Sequence, residues 1–202
     1  MPQTIVNVGH RSTNYWVISN GRARLLVDLG WPGMVDALLK ELARADIPLA
    51  EIRAGVATHY HIDHAGAAQD LKQRGMPLWV LSEQVEAIPL MKRHIKPTDR
   101  YTEIVPEGNT VLTCAESRTR LAALGIAGEI VPTPGHSPDS VSLVLDSGEC
   151  FIGDLTLERM VGEEDPAVVR ASWDRLRAMG AHTVYAGHVK PYPMPAAPAE
   201  DA

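Results

Sequence analysis

The hydrophobic and polar positions at the start of the chain predict strands followed by a helix. Three runs rich in apolar and β-branched residues come first, at residues 4–8, 15–19 and 23–29. Such runs are typical of strands, and the Asn20-Gly21 pair between the last two is typical of a tight hairpin. Apolar residues then recur at helical spacing over residues 34–45. We therefore expect an antiparallel meander and then a helix.

The rest of the chain alternates between the two patterns. Apolar runs predict strands at residues 54–58, 77–81, 129–132, 141–145, 150–153 and 182–186. Helical spacing predicts helices at residues 65–75, 82–88, 116–124 and 166–179. Residues 89–106 carry neither pattern and are expected to form a loop. Because the apolar stripe of each helix must cover a sheet face, the order predicts an α/β fold of two sheets with helices outside.

Length and composition indicate one compact domain. The chain has 202 residues and a net charge of −6, from 19 Lys+Arg against 25 Asp+Glu. Residues 1–190 are predicted to form a single domain. Residues 191–202 hold four prolines and four alanines, so we expect a disordered tail.

The acidic balance argues against a nucleic-acid partner. No run approaches 18 apolar residues, and the first residues lack the pattern of a signal peptide. We therefore expect a cytoplasmic protein without a membrane partner. Its two cysteines, Cys114 and Cys150, form no CxxC pair and are expected to be buried, idle thiols. Trp16 and Trp79 lie within strand patterns and are expected in the core.

Four of the chemistry-bearing residues form one motif, HxHxDH. His59, His61, Asp63 and His64 follow a predicted buried strand and precede a predicted helix. His59 and His61 point the same way in extended chain because side chains alternate with period two. Asp63 and His64 lie where the chain turns, so they can aim at a second point. Imidazole and carboxylate ligands suit zinc, iron or manganese.

Three further candidates fall at predicted strand ends, namely His136, Asp154 and His188. With them, the sequence resembles the metallo-β-lactamase-fold superfamily of metallohydrolases through five ordered motifs. These motifs are Asp28 in LVDLG, His59 to His64 in HxHxDH, His136 in TPGHS, Asp154 in FIGDL and His188 in AGH. The resemblance covers nearly the whole chain.

The resemblance implies a four-layer αββα sandwich of two mixed sheets, with the site at one edge. It also implies a role for each motif residue: His59, His61 and His136 on one metal; Asp63, His64 and His188 on a second; Asp154 bridging the two; and Asp28 orienting a ligand from behind.

The expected activity is hydrolysis with two divalent metal ions, zinc first, with iron or manganese as alternatives. A hydroxide bridging the metals would attack a small ester, thioester or lactone. Asp63 is the predicted catalytic residue because it can carry the proton that the leaving group needs. A mononuclear iron oxygenase, a metal-dependent phosphodiesterase and a non-catalytic, metal-stabilised binding protein stay open as alternatives.

Two features bear on the substrate. Residues 155–162 differ from the CGR-type signature that follows the bridging aspartate in glyoxalase II, which argues against glutathione thioesters. Residues 91–100 carry Lys92, Arg93, Lys96 and Arg100 against Asp99. This basic segment is expected to be a solvated loop, with the alternative that it folds over the cleft and meets an anionic small molecule. The pattern predicts no oligomeric state.

Overall fold

Two β-sheets form the middle of the molecule in the computed structural model, which describes residues 3–198. The first sheet contains, in spatial order, β1 (Thr4–Asn7), β2 (Trp16–Ser19), β3 (Arg24–Val27), β4 (Ile52–Val56), β5 (Leu78–Leu81) and β6 (Thr110–Leu112). The second contains β11 (Tyr192–Pro193), β10 (Thr183–Ala186), β9 (Glu149–Gly153), β8 (Val141–Leu145) and β7 (Gly128–Pro132). Both sheets mix parallel and antiparallel pairs.

Five α-helices accompany the sheets: α1 (Val35–Arg44), α2 (Ile62–Ala65), α3 (Ala68–Gln73), α4 (Cys114–Ala123) and α5 (Pro166–Ala178). Three segments are 3₁₀ helices, at Leu49–Glu51, Ser82–His94 and Glu158–Met160. No helix among residues 3–198 is long and apolar enough to cross a membrane.

Three apolar clusters define four layers. Leu38 of α1 and Leu71 of α3 pack on the outer face of the first sheet. Trp16 and Phe151 belong to the cluster between the two sheets. Trp173 of α5 packs on the outer face of the second sheet. The αββα sandwich expected from the sequence is confirmed.

Most predicted elements are present, with two differences in the helices. The helix expected at residues 65–75 is split into α2 and α3, because the Ala67 amide donates to the Gly30 carbonyl (3.1 Å) instead of continuing a helix. The helix expected at residues 82–88 is a 3₁₀ helix that runs to His94 with Pro89 inside it. It takes in part of the segment expected to be a loop.

The expectation of disorder from residue 191 is wrong for Tyr192 and Pro193, which form β11 against β10. Arg177 Nε also donates to the Pro195 carbonyl (3.1 Å). The edge of β10 exposes backbone groups that need partners, and the tail supplies them despite its composition. Residues 199–202 lie outside the described residues.

The two cysteines and the two strand tryptophans lie where the sequence predicts. Cys114 and Cys150 are free and buried, and burial raises the pKa of both thiols to about 12. Thiols held neutral in this way are poor nucleophiles. Trp16 and Trp79 are buried in the core between the sheets.

Candidate metal centre

The predicted donors, and Asp28 behind them, lie beyond the carboxyl ends of strands, at one edge of the sandwich. Asp28 follows β3, His59 follows β4, His136 follows β7, Asp154 follows β9 and His188 follows β10. β3 and β4 are parallel, as are β9 and β10, so their carboxyl ends meet at the same edge of each sheet. Loops at such an edge can aim several side chains at one point.

Two glycines allow the strand ends to come this close. Gly153 has a φ of +56°, and a Cβ there would lie 2.3 Å from Thr58 Oγ1. A Cβ at Gly187 would lie 2.4 Å from Asp154 Oδ1 and 2.7 Å from His64 Cε1. The glycines of FIGDL and AGH are therefore needed for the close approach of neighbouring site residues.

The first donor group consists of His59, His61 and His136. One ligand atom of each lies within 4.8 Å of those of the others. His136 Nε2 is 3.0 Å from His61 Nδ1. His59 is buried, and its Nε2 has no hydrogen-bond partner among residues 3–198. A buried nitrogen without a partner is costly unless something binds it.

The second donor group consists of Asp63, His64, Asp154 and His188, whose ligand atoms also lie within 4.8 Å of one another. Asp154 Oδ2 is 3.2 Å from His64 Nε2 and 3.1 Å from His188 Nε2. The same oxygen is 3.8 Å from His136 Nε2 of the first group. Asp154 thus lies between the two groups.

Hydrogen bonds from outside the donor groups orient three of the five imidazoles. His64 Nδ1 donates to Asp28 Oδ2 (2.9 Å), and His188 Nδ1 donates to the Ser12 carbonyl (2.7 Å). In both residues Nε2 is left free to accept a metal. Thr58 Oγ1 donates to Asp28 Oδ1 (2.9 Å) and lies 3.2 Å from His59 Nδ1, so the hydroxyl can accept from that ring.

The electrostatics of the centre favour a bound cation. Burial and the neighbouring imidazoles lower the pKa of His59 well below its usual range, which keeps its lone pair available. Burial opposes a charge on His64, but Asp28 and Asp154 raise its pKa well above the usual range. Burial also disfavours a charged Asp154, yet contact with His64 lowers its pKa to about 2. The carboxylates therefore favour a bound positive charge at the second group. The imidazole and carboxylate donors indicate that this charge is a divalent metal ion.

The structure brings all seven predicted donors together and places Asp28 behind them. Sequence reasoning missed Thr13, whose Oγ1 donates to Asp63 Oδ2 (3.1 Å), and the carbonyl of Ser12. A carbonyl carries no residue-type signal, and a lone threonine has no motif around it. Of the two tyrosines nearest the motifs in sequence, Tyr60 is buried in the core, and Tyr185 is half-buried against the apolar cluster between the sheets.

The basic segment divides between two environments. Lys92 belongs to the 3₁₀ helix Ser82–His94 and forms an ion pair with Glu103. Lys96 and Arg100 line a cavity together with Ile62, the residue between His61 and Asp63. Part of the segment therefore borders the centre.

The model of the metallo-beta-lactamase superfamily matches residues 8–188. The chain belongs to this superfamily. It is 31% identical over 190 residues to a hydroxyacylglutathione hydrolase of Cupriavidus metallidurans, covering 87% of this chain and 62% of that protein. It is 25% identical over 185 residues to the atrochrysone carboxyl ACP thioesterase of Aspergillus fumigatus, covering 88% of this chain and 51% of that one.

The chain spans about three fifths or less of each of these relatives. Among solved structures, the BLEG-1 B3 metallo-beta-lactamase superposes with a TM-score of 0.72 at 22% identity, covering 96% of this chain and 94% of that one. At this identity the likeness shows the fold alone.

Proposed function

We propose that this protein is a hydrolase that uses two divalent metal ions to cleave a thioester of a small molecule. The observation that carries the proposal is the pair of adjacent donor groups that meet at Asp154. Two adjacent ions bound by these groups would stabilise both the attacking and the leaving atom of a displacement. Zinc suits the imidazole and carboxylate donors, and iron and manganese also accept them.

The relatives support a thioester over the other substrates considered. The hydroxyacylglutathione hydrolase and the ACP thioesterase are both named for thioester hydrolysis. Because both are longer than this chain, they support the bond type and leave the rest of the substrate open. Esters and lactones have the same carbonyl chemistry and belong in the same test.

Bound divalent ions would polarise the substrate carbonyl and lower the pKa of a water to about 7. Asp154 lies between the two donor groups and can contact both ions. In this proposal Asp63 holds the proton and passes it on, and the hydrogen bond that Thr13 Oγ1 donates to its Oδ2 (3.1 Å) orients the carboxylate. Its side chain keeps 14% exposure, so a leaving group can reach it and take the proton.

The test combines a substrate panel with Asp63→Asn. The purified protein should hydrolyse thioesters without consuming oxygen and should lose that activity when a chelator removes its metal. Asp63→Asn should lower kcat by about 100-fold or more, as expected for removal of a proton-transfer group, while keeping part of its metal. The matched control is Asp46→Asn, at an exposed position outside the centre.

Two results would overturn the proposal. Substrate-dependent oxygen uptake with one bound iron would indicate an oxygenase, and turnover of phosphodiesters alone would indicate a phosphodiesterase. If Asp63→Asn hydrolyses the thioester at the wild-type rate, the role given to Asp63 is wrong even though the hydrolase function stands.

A further inference from the structure

A basic cavity adjoins the metal centre. It has a volume of about 360 Å³, and its lining includes Arg11, Trp31, Ile62, His94, Lys96 and Arg100. Ile62 is the residue between His61 and Asp63, and the His94 ring lies 6.2 Å from the His61 ring, centroid to centroid. A molecule with one group in this cavity is therefore able to reach the centre with its other end.

The charge of the cavity is positive and locally unbalanced. Arg11, Lys96 and Arg100 form no ion pair with any residue in the described range 3–198. Asp99 is the one acidic residue of the lining, and its Oδ2 accepts from the Lys96 backbone amide (2.8 Å). Three cations thus face one carboxylate.

A second cavity that adjoins the centre has the opposite charge. His136 borders this cavity, whose lining includes Glu163, Glu164 and Asp165. An anionic group would be repelled there and attracted to the side of Arg11. Of the two cavities, the one lined by Arg11 is therefore the one that suits an anionic group.

Arg11 is held at the rim by the same contacts that hold two metal donors. It lies in the turn from His10 to Thr13, which the His10 amide closes by donating to the Thr13 carbonyl (3.2 Å). Within this turn, the Ser12 carbonyl accepts from His188 and the Thr13 hydroxyl donates to Asp63. The position of Arg11 is therefore tied to the centre.

Two further features fix the Arg11 side chain and backbone. The guanidinium carbon lies 5.9 Å from the centroid of the Trp31 ring, and Trp31 Nε1 donates to Thr13 Oγ1 (3.2 Å). Arg11 also has a φ of +63°, a left-handed conformation that costs a side-chain-bearing residue about 1 kcal/mol or more. Such strain persists where the surroundings impose it, and it is common at binding sites.

The wall of the cavity that carries Lys96 and Arg100 also has an ordered backbone. The Asp99 amide donates to the Lys96 carbonyl (2.9 Å), which closes a turn. Arg100 packs against Gly33, where a Cβ would lie 2.9 Å from the Arg100 Cβ. The cations therefore stand on ordered backbone on both sides of the cavity.

We propose that Arg11 and Lys96 form a subsite that binds a carboxylate of the substrate, so that this protein prefers thioesters with a carboxylate a short distance from the scissile bond. The planar guanidinium presents paired N–H donors that match a carboxylate, and Lys96 adds a second positive charge. This inference rests on the proposed hydrolase function.

The test compares matched thioesters. One pair is the 4-nitrothiophenol thioesters of adipate and hexanoate, which release the same thiol and differ only in a terminal carboxylate or methyl. A second pair places the same difference on the thiol side, as hexanoyl thioesters of 3-mercaptopropionate and propanethiol. In at least one pair, kcat/KM should favour the carboxylate member by about 10-fold or more, mainly through KM.

Arg11→Met and Lys96→Met should each reduce that ratio several-fold, and the double variant should bring it close to 1. Arg22→Met, at an exposed arginine outside the cavity, should keep the wild-type ratio. Metal content measured for every variant separates a loss of the subsite from a loss of the centre. A wild-type ratio near 1 in both pairs, or a ratio unchanged in the double variant, would overturn the inference and leave the hydrolase function intact.

A binding experiment tests the subsite if no thioester is cleaved. Calorimetric titration of the metal-loaded protein with adipate should show binding that Arg11→Met weakens about 10-fold and Arg22→Met does not. Equal binding by the two variants would overturn the subsite. Absence of thioester, ester and lactone cleavage together with Arg11-dependent adipate binding would overturn the hydrolase function and leave the anion-binding subsite intact.

Discussion

Asp28 connects the two donor groups although it belongs to neither. Its carboxylate accepts from His64 Nδ1 (2.9 Å) and from the Thr58 amide (2.8 Å) and hydroxyl (2.9 Å). Thr58 in turn contacts His59, a member of the first group. One buried carboxylate therefore orients an imidazole of each group, and the charge of Asp28 also keeps the proton on His64 Nδ1.

Asp28→Asn should weaken metal binding at both groups. An amide retains the shape but loses the charge and one acceptor oxygen, and changes of this kind behind a metal ligand cost about 10- to 100-fold in metal affinity or activity. Asp46→Asn is a matched control because Asp46 also has a positive φ, +54° against +66° at Asp28, yet is exposed. Competition with a chromogenic chelator measures the affinities, and equal affinities in the two variants would contradict this role.

At the scale of residues, the sequence predicts which side chains lie together at the centre, but it misses the groups that hydrogen-bond to them. His59, His61, Asp63 and His64 stand in a contiguous motif, so their spacing alone brings them together. His136, Asp154 and His188 required the resemblance, because each is an isolated residue at a strand end. The partners of Asp63 and His188 are a lone threonine and a backbone carbonyl, and neither leaves a pattern in the sequence.

Among the elements, the turn that ends β9 carries a tight steric constraint at the centre. Gly153 combines a φ of +56° with a Cβ position 2.3 Å from Thr58 Oγ1 and 2.8 Å from Thr58 Cβ. Any side chain there must push β9 away from the segment that holds His59. The positions of Asp154 and His59 are thus set by the same contact.

Gly153→Ala should lower the free energy of unfolding by about 2–4 kcal/mol, from the positive φ and the overpacking together. Gly108→Ala is the control, because Gly108 also has a positive φ, +79°, but nothing within 4 Å of its Cβ position. It should lose only about 1 kcal/mol. Denaturant unfolding measures both, and equal losses would show that the contact with Thr58 contributes nothing.

The sequence predicts strands that are buried along their length, because their apolar pattern is clear. It does not predict strands that are short or partly exposed. β8 is buried along its whole length, and its apolar run was recognised. β6 has three residues, with Val111 56% exposed, and β11 has two residues within a proline-rich tail. Such strands form because the edge of a neighbouring strand offers backbone hydrogen-bond partners. This is a tertiary interaction, and the local sequence pattern does not reveal it.

At the scale of the whole molecule, the proposed centre joins the two sheets. His59 and His61 follow β4 of the first sheet, whereas His136 follows β7 and Asp154 follows β9 of the second. Ions bound to both sides would link the sheets at this edge and would offset the repulsion among Asp28, Asp63 and Asp154. Metal binding should therefore be coupled to global stability.

Removal of metal should lower the Tm. An ion present at 100 times its Kd contributes about 2.7 kcal/mol to stability, which corresponds to roughly 5–10 °C for a domain of this size. Thermal unfolding with and without a chelator, followed by re-addition of zinc, measures the shift. An unchanged Tm in protein shown to have lost its metal would contradict the coupling.

The most direct test of a dinuclear centre is the number of ions bound by the wild type and by two single variants. His136→Ala removes a donor from the first group only, and His188→Ala removes one from the second only. Elemental analysis after equilibration with limiting free zinc should give about two ions per chain for the wild type and about one for each variant. One ion in the wild type, lost completely in either variant, would contradict a dinuclear centre.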